Sequence, residues 1–445
     1  AKSGIYKMSN KKELVIELIH PPHPQSIEDR LDAPLGLLYI ASNLEKEGYL
    51  VRINDLSGVD EKDWKIGEAD IYGTTIYAPT VNISEKIAKE CKRINPYSVV
   101  VAGGAHPTAV PDKIGKSFDV VGIGEGEEIM LDIAREYPNN KRFYKKDLER
   151  NLDKYPHPAY HLVDPFSYKR KFEGEQAITL LTSRGCPYRC AFCGLAEQHK
   201  TMKYRSPENI LEEIKFIQKK YGINKFNFQD DTFTVNKKRL YKMLDLFKPL
   251  NIGFRAHGRS GLDTLEDYIL LKEAGCDVIA WGIESGSQKI LDLMNKQTTV
   301  ENNENVIKWA KEAGLTTRAF FVIGFPGEDK DTLEETKNFI ERTNPDQYFV
   351  SNFVPYPGTD VWNNPKKYGV KKIHTNFEKY YQVDKEGFGS RNIEVENIDI
   401  EMFKELEKDF RGWINQRMQR GSVQEYEEKI MKKLKWKENL NLKEK

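Results

Sequence analysis

The chain has 445 residues, of which 69 are basic and 68 acidic, so its formal net charge is only +1. This balance argues against binding to nucleic acid or to an anionic membrane, since both attract a concentrated positive charge. Hydrophobic residues make up 39% of the chain, and no apolar run approaches the roughly 20 residues of a membrane-spanning helix. The length allows two or three domains, each with its own core.

Up to residue 137, short apolar runs alternate with amphipathic stretches at the spacing of βα units. Strands are predicted at Leu14–Ile19, Leu50–Ile53, Ile71–Ile76, Val99–Ala102 and Val120–Gly122, and helices at Leu35–Lys46, Ser84–Ile94 and Glu127–Tyr137. This alternation predicts an α/β fold over residues 12–137, a doubly wound parallel sheet of Rossmann-like type. Residues 138–176 lose the rhythm and contain several prolines, so we expect a linker there.

The alternation begins again at Ala177 and continues to about residue 351. Six strands are predicted, at Ile178–Leu181, Lys225–Phe228, Gly253–Ala256, Val278–Trp281, Thr317–Ile323 and Gln347–Ser351. The helices between them are predicted at Pro207–Tyr221, Lys237–Phe247, Leu265–Ala274, Val300–Glu312 and Thr332–Arg342. Since a closed barrel of this kind has eight strands, six indicate a partial (β/α)6 barrel. Residues 352–445 are expected to form a helical region that covers the substrate, with helices at Ile400–Met418 and Ser422–Lys435.

Three of the five cysteines, Cys186, Cys190 and Cys193, lie within eight residues in the segment TSRGCPYRCAFCG. Their spacing supplies three thiolates, whereas structural zinc is held by four ligands. Alternatives are a zinc site completed by His199, or reduced structural cysteines. The motif resembles that of the radical S-adenosylmethionine (SAM) superfamily. That resemblance implies a 4Fe–4S cluster on the three cysteines, with SAM bound to the fourth iron.

Later segments match the same superfamily and imply further contacts with SAM. Phe192 precedes the third cysteine, and Glu284 and Ser285 in WGIESGS are expected to bind the ribose or the methionine part. Arg259 is expected to pair with the SAM carboxylate, and Ile323 and Gly324 in FVIGFPGE to pack on the adenine. The alternatives are a helix cap at Ser285, a structural salt bridge at Arg259 and an ordinary turn after Gly324.

Two adjacent carboxylates, Asp230 and Asp231, end the second predicted strand of the barrel in FQDDTF. At a strand end beside a cluster they could orient the cofactor or steer a proton, and we take them as candidate catalytic residues. They could equally cap the following helix.

The N-terminal domain lacks a Gly-x-Gly-x-x-Gly fingerprint and a Gly-Lys-Ser/Thr loop, which argues against dinucleotide and P-loop binding. Its loops instead read APLGL, GTT, AGGAHPTAVP and GIGEGEE. Together with the linker segment LDKYPHPAYHLVD, they resemble the cobalamin-binding domain found in many radical SAM enzymes, those of the class B methyltransferase type. The resemblance implies that cobalamin contacts Leu35, Gly36, Thr74, Thr75, Gly103, Gly104, His106, Thr108, Gly124, Gly126 and Glu127.

One feature departs from the better-known corrinoid carriers, which coordinate cobalt through the histidine of Asp-x-His-x-x-Gly. Here Asp55 is followed by Leu56, Ser57 and Gly58, with no histidine at the matching place. Cobalamin is therefore expected to bind without that ligand. His106 is expected to contact the nucleotide tail rather than cobalt.

The resemblance implies a cobalamin-dependent radical SAM methyltransferase. In such an enzyme the reduced cluster cleaves SAM to a 5′-deoxyadenosyl radical, which abstracts hydrogen from an unactivated carbon, and methylcobalamin supplies the methyl group. A non-methylating radical reaction, such as cyclisation, ring rearrangement or methylthio transfer, is the alternative. A corrinoid carrier or sensor belongs to a different class, and the cysteine triad argues against it.

The expected partners are an external electron donor, such as flavodoxin or ferredoxin, and a substrate that no motif names. A small molecule, a lipid and a peptide or protein side chain all remain open. Three clustered cysteines and two isolated ones, Cys91 and Cys276, suit a reducing compartment better than a disulfide scaffold. We therefore expect a cytoplasmic protein.

Overall fold

The computed structural model describes residues 14–146, 149–172, 174–194, 201–383 and 389–420. It divides into two units, which are treated separately below. The first unit contains the described residues up to Leu180, together with Met202–Ile223 and Asn376–Tyr381. The second contains the described parts of Leu181–Thr201, Asn224–Thr375 and Gln382–Lys445.

The first unit is built on a six-stranded sheet with the strand order β2-β1-β3-β4-β5-β6, in which neighbouring strands run parallel. The strands are β1 (Val15–His20), β2 (Leu50–Asp55), β3 (Ile71–Thr75), β4 (Val99–Gly103), β5 (Val120–Gly124) and β6 (Phe143–Lys146). The helices are α1 (Leu35–Lys46), α2 (Val81–Ile94), α3 (Ala105–Ala109) and α4 (Gly126–Glu136). The predicted βα alternation is confirmed.

Successive residues of β4 show why this sheet is covered on both faces. Val99 and Val101 belong to one core cluster, and Val100 and Ala102 to another. Since neighbouring side chains on a strand point to opposite faces, helices must cover both sides of the sheet. The doubly wound fold predicted from the continuous apolar runs is therefore confirmed.

Strand β6 lies inside the stretch that we expected to be a linker. It pairs with β5 from Phe143 to Lys146, so the expectation of a linker is wrong at these residues. The segment FYKK carries no strand signal because Tyr144 alone is buried, at the edge of the sheet. The stretch otherwise contains short 3₁₀ turns at Leu152–Lys154, Tyr160–Leu162 and Pro165–Ser167.

A second sheet has the order β15-β14-β13-β12-β11-β8-β7. Its strands are β7 (Lys171–Phe172), β8 (Glu175–Leu180), β11 (Lys225–Phe228), β12 (Gly253–Gly258), β13 (Cys276–Glu284), β14 (Thr316–Ile323) and β15 (Gln347–Asn352). Strands β11 to β15 are mutually parallel, while β7 is an antiparallel addition on β8. All six predicted barrel strands are present, which confirms the partial barrel.

Six helices accompany these strands; five begin and end close to the predicted residues, and the short helix Gln288–Leu293 was not predicted. They are α5 (Pro207–Tyr221), α6 (Lys237–Phe247), α7 (Leu265–Glu273), α8 (Gln288–Leu293), α9 (Val300–Glu312) and α10 (Lys330–Thr343). Caps explain several of the starts: Ser206, Asn236, Thr264 and Thr299 each accept a backbone N–H from the first turn. Two short pairs, β9 (Ser183–Arg184) with β10 (Lys203–Tyr204) and β16 (Val370–Ile373) with β17 (Ile393–Val395), were not predicted.

The C-terminal region contains α11 (Asp360–Asn363) and the long helix α12 (Ile400–Arg420). The second helix predicted there, Ser422–Lys435, lies outside the described residues. Among the helices that the structure describes, none is both long enough and apolar enough to cross a membrane.

Candidate cofactor sites

The cysteine segment follows β9 in the second unit. Cys190 is buried, Cys186 and Cys193 are half-buried, and none of these three described residues forms a disulfide. The backbone N–H of Cys193 donates to the carbonyl of Cys190 at 3.1 Å. Between them Ala191 is fully buried, donates to the carbonyl of Met294 at 2.8 Å and accepts from Val361 at 3.2 Å. The backbone of the segment is therefore held from two other parts of the same unit.

Asp230 and Asp231 hold the other end of this segment from the end of β11. Asp230 accepts the backbone N–H of Thr182 at 3.1 Å, its hydroxyl at 2.8 Å and the hydroxyl of Ser183 at 2.5 Å. Asp231 accepts the backbone N–H of Gly185 at 3.0 Å. Burial raises the pKa of both carboxyls, and burial together with the neighbouring Asp230 raises the pKa of Asp231 to about 7. Both carboxylates thus contact the residues that lead into Cys186.

Arg259, expected to bind SAM, lies directly beside the cysteines. Its guanidinium is 3.8 Å from the Sγ of Cys190 and 3.5 Å from the ring centre of Tyr188. It also donates to the backbone carbonyl of Lys296. A guanidinium at this distance can donate a hydrogen bond to a thiolate sulfur, the form in which cysteine binds iron.

Lys296, which the sequence analysis missed, connects the predicted SAM residues to one another. Its Nζ lies 2.6 Å from Glu284 in an ion pair whose side chains are each 8% exposed, and 5.8 Å from the ring centre of Phe192. Glu284 has a φ of +65°, a left-handed conformation that is uncommon for glutamate and is enriched at functional sites. The sequence gives little indication of this role, because a single lysine in the polar segment MNKQTT looks like an ordinary surface lysine.

Ser285 is engaged with its own protein. Its hydroxyl lies 3.1 Å from that of Thr336 on α10, and it accepts the backbone N–H of Ser287 at 3.1 Å. Only 1% of the residue is exposed. These contacts match the turn-stabilising alternative more closely than a contact with a ribose.

Ile323 and Gly324 end β14, and the C-terminal region packs against them. The carbonyl of Ile323 accepts from Phe353 at 2.7 Å, and the N–H of Gly324 donates to Glu328. A Cβ on Gly324 would come within 2.6 Å of the Phe403 ring, which is why glycine is needed there. Arg391 stacks on that ring at 3.8 Å, and burial raises the pKa of Glu328 to about 8.

The three cysteines are compatible with a cluster held by separate thiolates. Within the described ranges, no three His, Cys, Asp or Glu side chains converge where one metal ion would sit. A 4Fe–4S cluster does not require the three sulfur atoms to meet at one point, because each cysteine binds a separate iron. Three thiols outside any disulfide, with the Arg259 guanidinium beside one of them, fit this arrangement. His199, the zinc ligand of the alternative hypothesis, lies outside the described residues.

The predicted cobalamin residues of the first unit share one edge of its sheet. All of them stand at the carboxyl end of β3, β4 or β5, or in the helical turns that follow a strand. They are Leu35, Gly36, Thr74, Thr75, Gly103, Gly104, His106, Thr108, Gly124, Gly126 and Glu127. In doubly wound sheets ligands bind outside this edge. The topology therefore brings the predicted set together.

Some of these residues serve the protein itself. Thr108 accepts the N–H of Gly124 at 3.1 Å and donates to the carbonyl of Gly104 at 2.8 Å, tying two loops together. Gly104 has a φ of +98°, and a Cβ there would meet the Thr75 hydroxyl at 2.8 Å. A Cβ added at Gly36, by contrast, would meet no atom of the described residues within 4 Å, so its side of the edge is open.

Thr74 supplies the observation that points to a ligand. It is 2% exposed, and its Oγ1 is buried without a hydrogen-bond partner among the described residues. Leaving such a group unsatisfied costs roughly 1–3 kcal/mol, so a hydroxyl in this position favours a polar ligand. The site is thus compatible with the polar periphery of cobalamin.

His106 is buried and packs edge-on against Phe377, with 4.6 Å between ring centres. Phe377 in turn contacts Tyr380 at 5.1 Å. Burial lowers the pKa of His106 to about 4, so its imidazole is neutral at physiological pH. The segment Asn376–Tyr381 is therefore part of the first unit, a placement that no sequence pattern indicated.

Comparison with known proteins gives the family. Residues 180–340 match the radical SAM superfamily, and residues 33–134 match the B12 binding domain. An uncharacterized methyltransferase of Pyrococcus horikoshii is 30% identical over 407 residues, covering 84% of this chain and 87% of its own length. The chain belongs to the cobalamin-binding radical SAM enzymes. The expected cofactors, a 4Fe–4S cluster, SAM and cobalamin, are confirmed at the level of these two domains.

Proteins similar to this chain are named for more than one reaction. The anaerobic magnesium-protoporphyrin IX monomethyl ester cyclase of Rubrivivax gelatinosus is 27% identical over 384 residues, covering 78% of this chain and 68% of its own. The structure of the methyltransferase TsrM from Kitasatospora setae, with cobalamin and a [4Fe-4S] cluster, superposes with a TM-score of 0.63 at 18% identity. It covers 79% of this chain and 77% of that one. This likeness confirms the fold.

Proposed function

We propose that the chain is a cobalamin-dependent radical SAM methyltransferase that methylates an unactivated carbon. The observation that carries the proposal is the match to an uncharacterized methyltransferase of Pyrococcus horikoshii over 87% of the length of that protein. The two cofactor domains and the buried polar residues around the cysteine segment support it. The expected domain boundaries, 12–137, 138–176, 177–351 and 352–445, remain part of this proposal, except that β6 (Phe143–Lys146) belongs to the sheet of the first unit.

In this proposal Cys186, Cys190 and Cys193 hold the cluster, and Arg259 and Glu284 bind the polar groups of SAM. When bound, the cluster and SAM supply a radical that removes hydrogen, and cobalamin supplies the methyl group. Asp230 positions the cysteine segment and does not touch the reacting atoms. Lys296 holds the Glu284 carboxylate in place, which leaves one of its oxygens for a ligand hydroxyl.

The cobalamin contacts assigned by resemblance are part of the same proposal. Thr74 offers its hydroxyl, and the open face at Gly36 admits a large ligand.

The test uses the full-length protein, purified without oxygen and supplied with iron, sulfide and cobalamin. With dithionite in place of the natural electron donor and SAM labelled in its methyl group, we expect 5′-deoxyadenosine and labelled methylcobalamin, both separated by chromatography. Cobalamin that stays unmethylated while 5′-deoxyadenosine forms would contradict the methyltransferase.

Such a result would favour the alternative, a non-methylating radical reaction, which the similarity to the Rubrivivax cyclase supports. A labelled methyl group on cobalamin without any 5′-deoxyadenosine would contradict the radical half of the proposal. Once a substrate is found, mass spectrometry of its product shows whether the methyl group is attached to carbon.

A further inference from the structure

Two adjacent strands of the first unit end in buried polar atoms. His20 is the last residue of β1, and its neighbour Ile19 pairs with Thr74 on β3. The Nδ1 of His20 and the Oγ1 of Thr74 are both buried without a hydrogen-bond partner among the described residues. Because Thr74 pairs with Ile19, its side chain and that of His20 point to opposite faces of the sheet. Each unsatisfied atom by itself costs roughly 1–3 kcal/mol unless a ligand satisfies it.

These strand ends lie where the topology of the sheet favours a ligand. From β1 the chain passes to β2 on one side, and it then returns to β3 on the other side of β1. The order of strands therefore reverses between β1 and β3. In open parallel sheets, ligands bind in the crevice outside the carboxyl ends at this point.

A carboxylate stands beside His20 on the neighbouring strand. The register of β1 and β2 pairs His20 directly with Asp55. Tyr168 donates to Asp55 at 2.7 Å, and the backbone N–H of Ser57 donates to it at 3.0 Å, so its orientation is fixed. A histidine that binds a metal usually has a carboxylate or carbonyl near its second ring nitrogen. The aspartate–histidine combination missing from the linear motif is thus assembled from two strands.

Two other histidines of this unit are weaker candidates. His23 also has a buried Nδ1 without a partner among the described residues, but it lies in the loop after β1, where its backbone N–H donates to Asp29 at 3.0 Å. His106 likewise has a buried Nδ1 without a partner among the described residues, but it lies on the short helix α3 and packs against the Phe377 ring. His20 alone among these three is placed by a strand that is paired on both sides.

We propose that His20 supplies an imidazole nitrogen to an axial position of the cobalt of cobalamin, with Asp55 as the neighbouring carboxylate. This inference rests on the proposed function, since it presupposes that the first unit holds cobalamin. It leaves in place the expectation that the histidine of the Asp-x-His-x-x-Gly motif is absent, and it names a different histidine as the ligand. The histidine comes from the strand beside Asp55 and not from the segment that follows it.

The experiment is electron paramagnetic resonance of the full-length protein loaded with cobalamin and reduced to the cobalt(II) state. An axial nitrogen splits the cobalt signal, and the pattern changes when the nitrogen isotope changes. We expect a splitting that is altered in protein grown with ¹⁵N-histidine. We expect it to be absent in His20→Asn and retained in His23→Asn, the matched control three residues away.

Each other outcome counts against the inference. A splitting that does not change with ¹⁵N-histidine comes from the base of cobalamin itself. The absence of any splitting means that no nitrogen binds the cobalt. A splitting that is lost in His23→Asn but kept in His20→Asn would show that His23, and not His20, is the ligand. Cobalamin content, measured by absorbance after gel filtration, separates the two proposals. Wild-type protein without cobalamin overturns the proposed function, whereas bound cobalamin without a histidine nitrogen overturns only this inference.

Discussion

The ion pair of Lys296 and Glu284 shows how one residue can hold a site together. Each side chain is only 8% exposed. The backbone carbonyl of Lys296 also accepts a hydrogen bond from the guanidinium of Arg259. Removing one partner of a buried pair leaves the other charge without compensation. That loss is much larger than the net value of the pair.

We therefore expect Lys296→Met to lower the free energy of unfolding by about 3–5 kcal/mol and to weaken the binding of SAM. The double variant Lys296→Met with Glu284→Gln should recover most of the stability, because neither member of the pair is then charged. Urea unfolding and anaerobic equilibrium dialysis with SAM measure the two effects.

The matched control is Lys289→Met, which breaks an ion pair with Asp329 of similar length, 2.7 Å, on the exposed surface. Its cost should stay below about 1 kcal/mol. Equal losses in the Lys289 and Lys296 variants would show that the buried pair has no special role.

Glu328 makes the stability of the protein depend on pH. Burial raises its pKa from 4.5 to about 8. Between these values the folded protein keeps a proton that the unfolded chain has released, so the free energy of unfolding falls as the pH rises. The slope is on the order of 1 kcal/mol per pH unit. Glu328→Gln removes this titration and should flatten the decline.

Urea unfolding of the apoprotein at several values between about pH 5 and about pH 8 measures this slope. Glu401→Gln, whose side chain is 81% exposed, serves as the control and should follow the wild-type curve. Parallel curves for wild type and Glu328→Gln would contradict the prediction.

At the scale of elements, the end of β11 positions the cysteine segment. Asp230 satisfies three donors on Thr182 and Ser183, which shortly precede Cys186. An amide in its place can accept at one oxygen only and presents an N–H₂ group to the remaining donors. The segment should then lose its fixed path into the first cysteine.

We expect Asp230→Asn to cost about 1–3 kcal/mol of stability and to lower the iron content after anaerobic reconstitution. Asp346→Asn is the matched control, because Asp346 accepts the N–H and the hydroxyl of Thr317 in the same way at 2.8 and 2.6 Å. It should lose stability and keep its iron. Iron loss in both variants would mean that the effect is general unfolding.

At the scale of the whole molecule, the residues predicted for the two cofactors lie in separate units with separate cores. The cysteines belong to the second unit, whereas the predicted cobalamin residues belong to the first. Replacing Cys186, Cys190 and Cys193 together by alanine should therefore abolish SAM cleavage while cobalamin binding remains. Absorbance of bound cobalamin and chromatography of 5′-deoxyadenosine measure the two results. Loss of both would contradict separate sites.

Most of the fold could be predicted because its signals are local. The helix Leu35–Lys46 and the strand Lys225–Phe228 were predicted with their observed ends, since apolar periods and the residues that flank them mark both boundaries. Strand β6 was missed because an edge strand with one buried residue shows almost no alternation of apolar and polar residues. The segment Asn376–Tyr381 was missed because its position depends on contacts with His106, far away in the sequence.

The sequence by itself determined the family, the two cofactor domains and the cysteine triad, because spacing and βα rhythm are properties of neighbouring residues. Only the tertiary structure decided which polar side chains meet. It placed Lys296 against Glu284, turned Asp230 toward Thr182, and set His20 beside Asp55 on the next strand. Such contacts join residues 12 to 48 positions apart, and strand register and burial bring them together rather than any pattern along the chain.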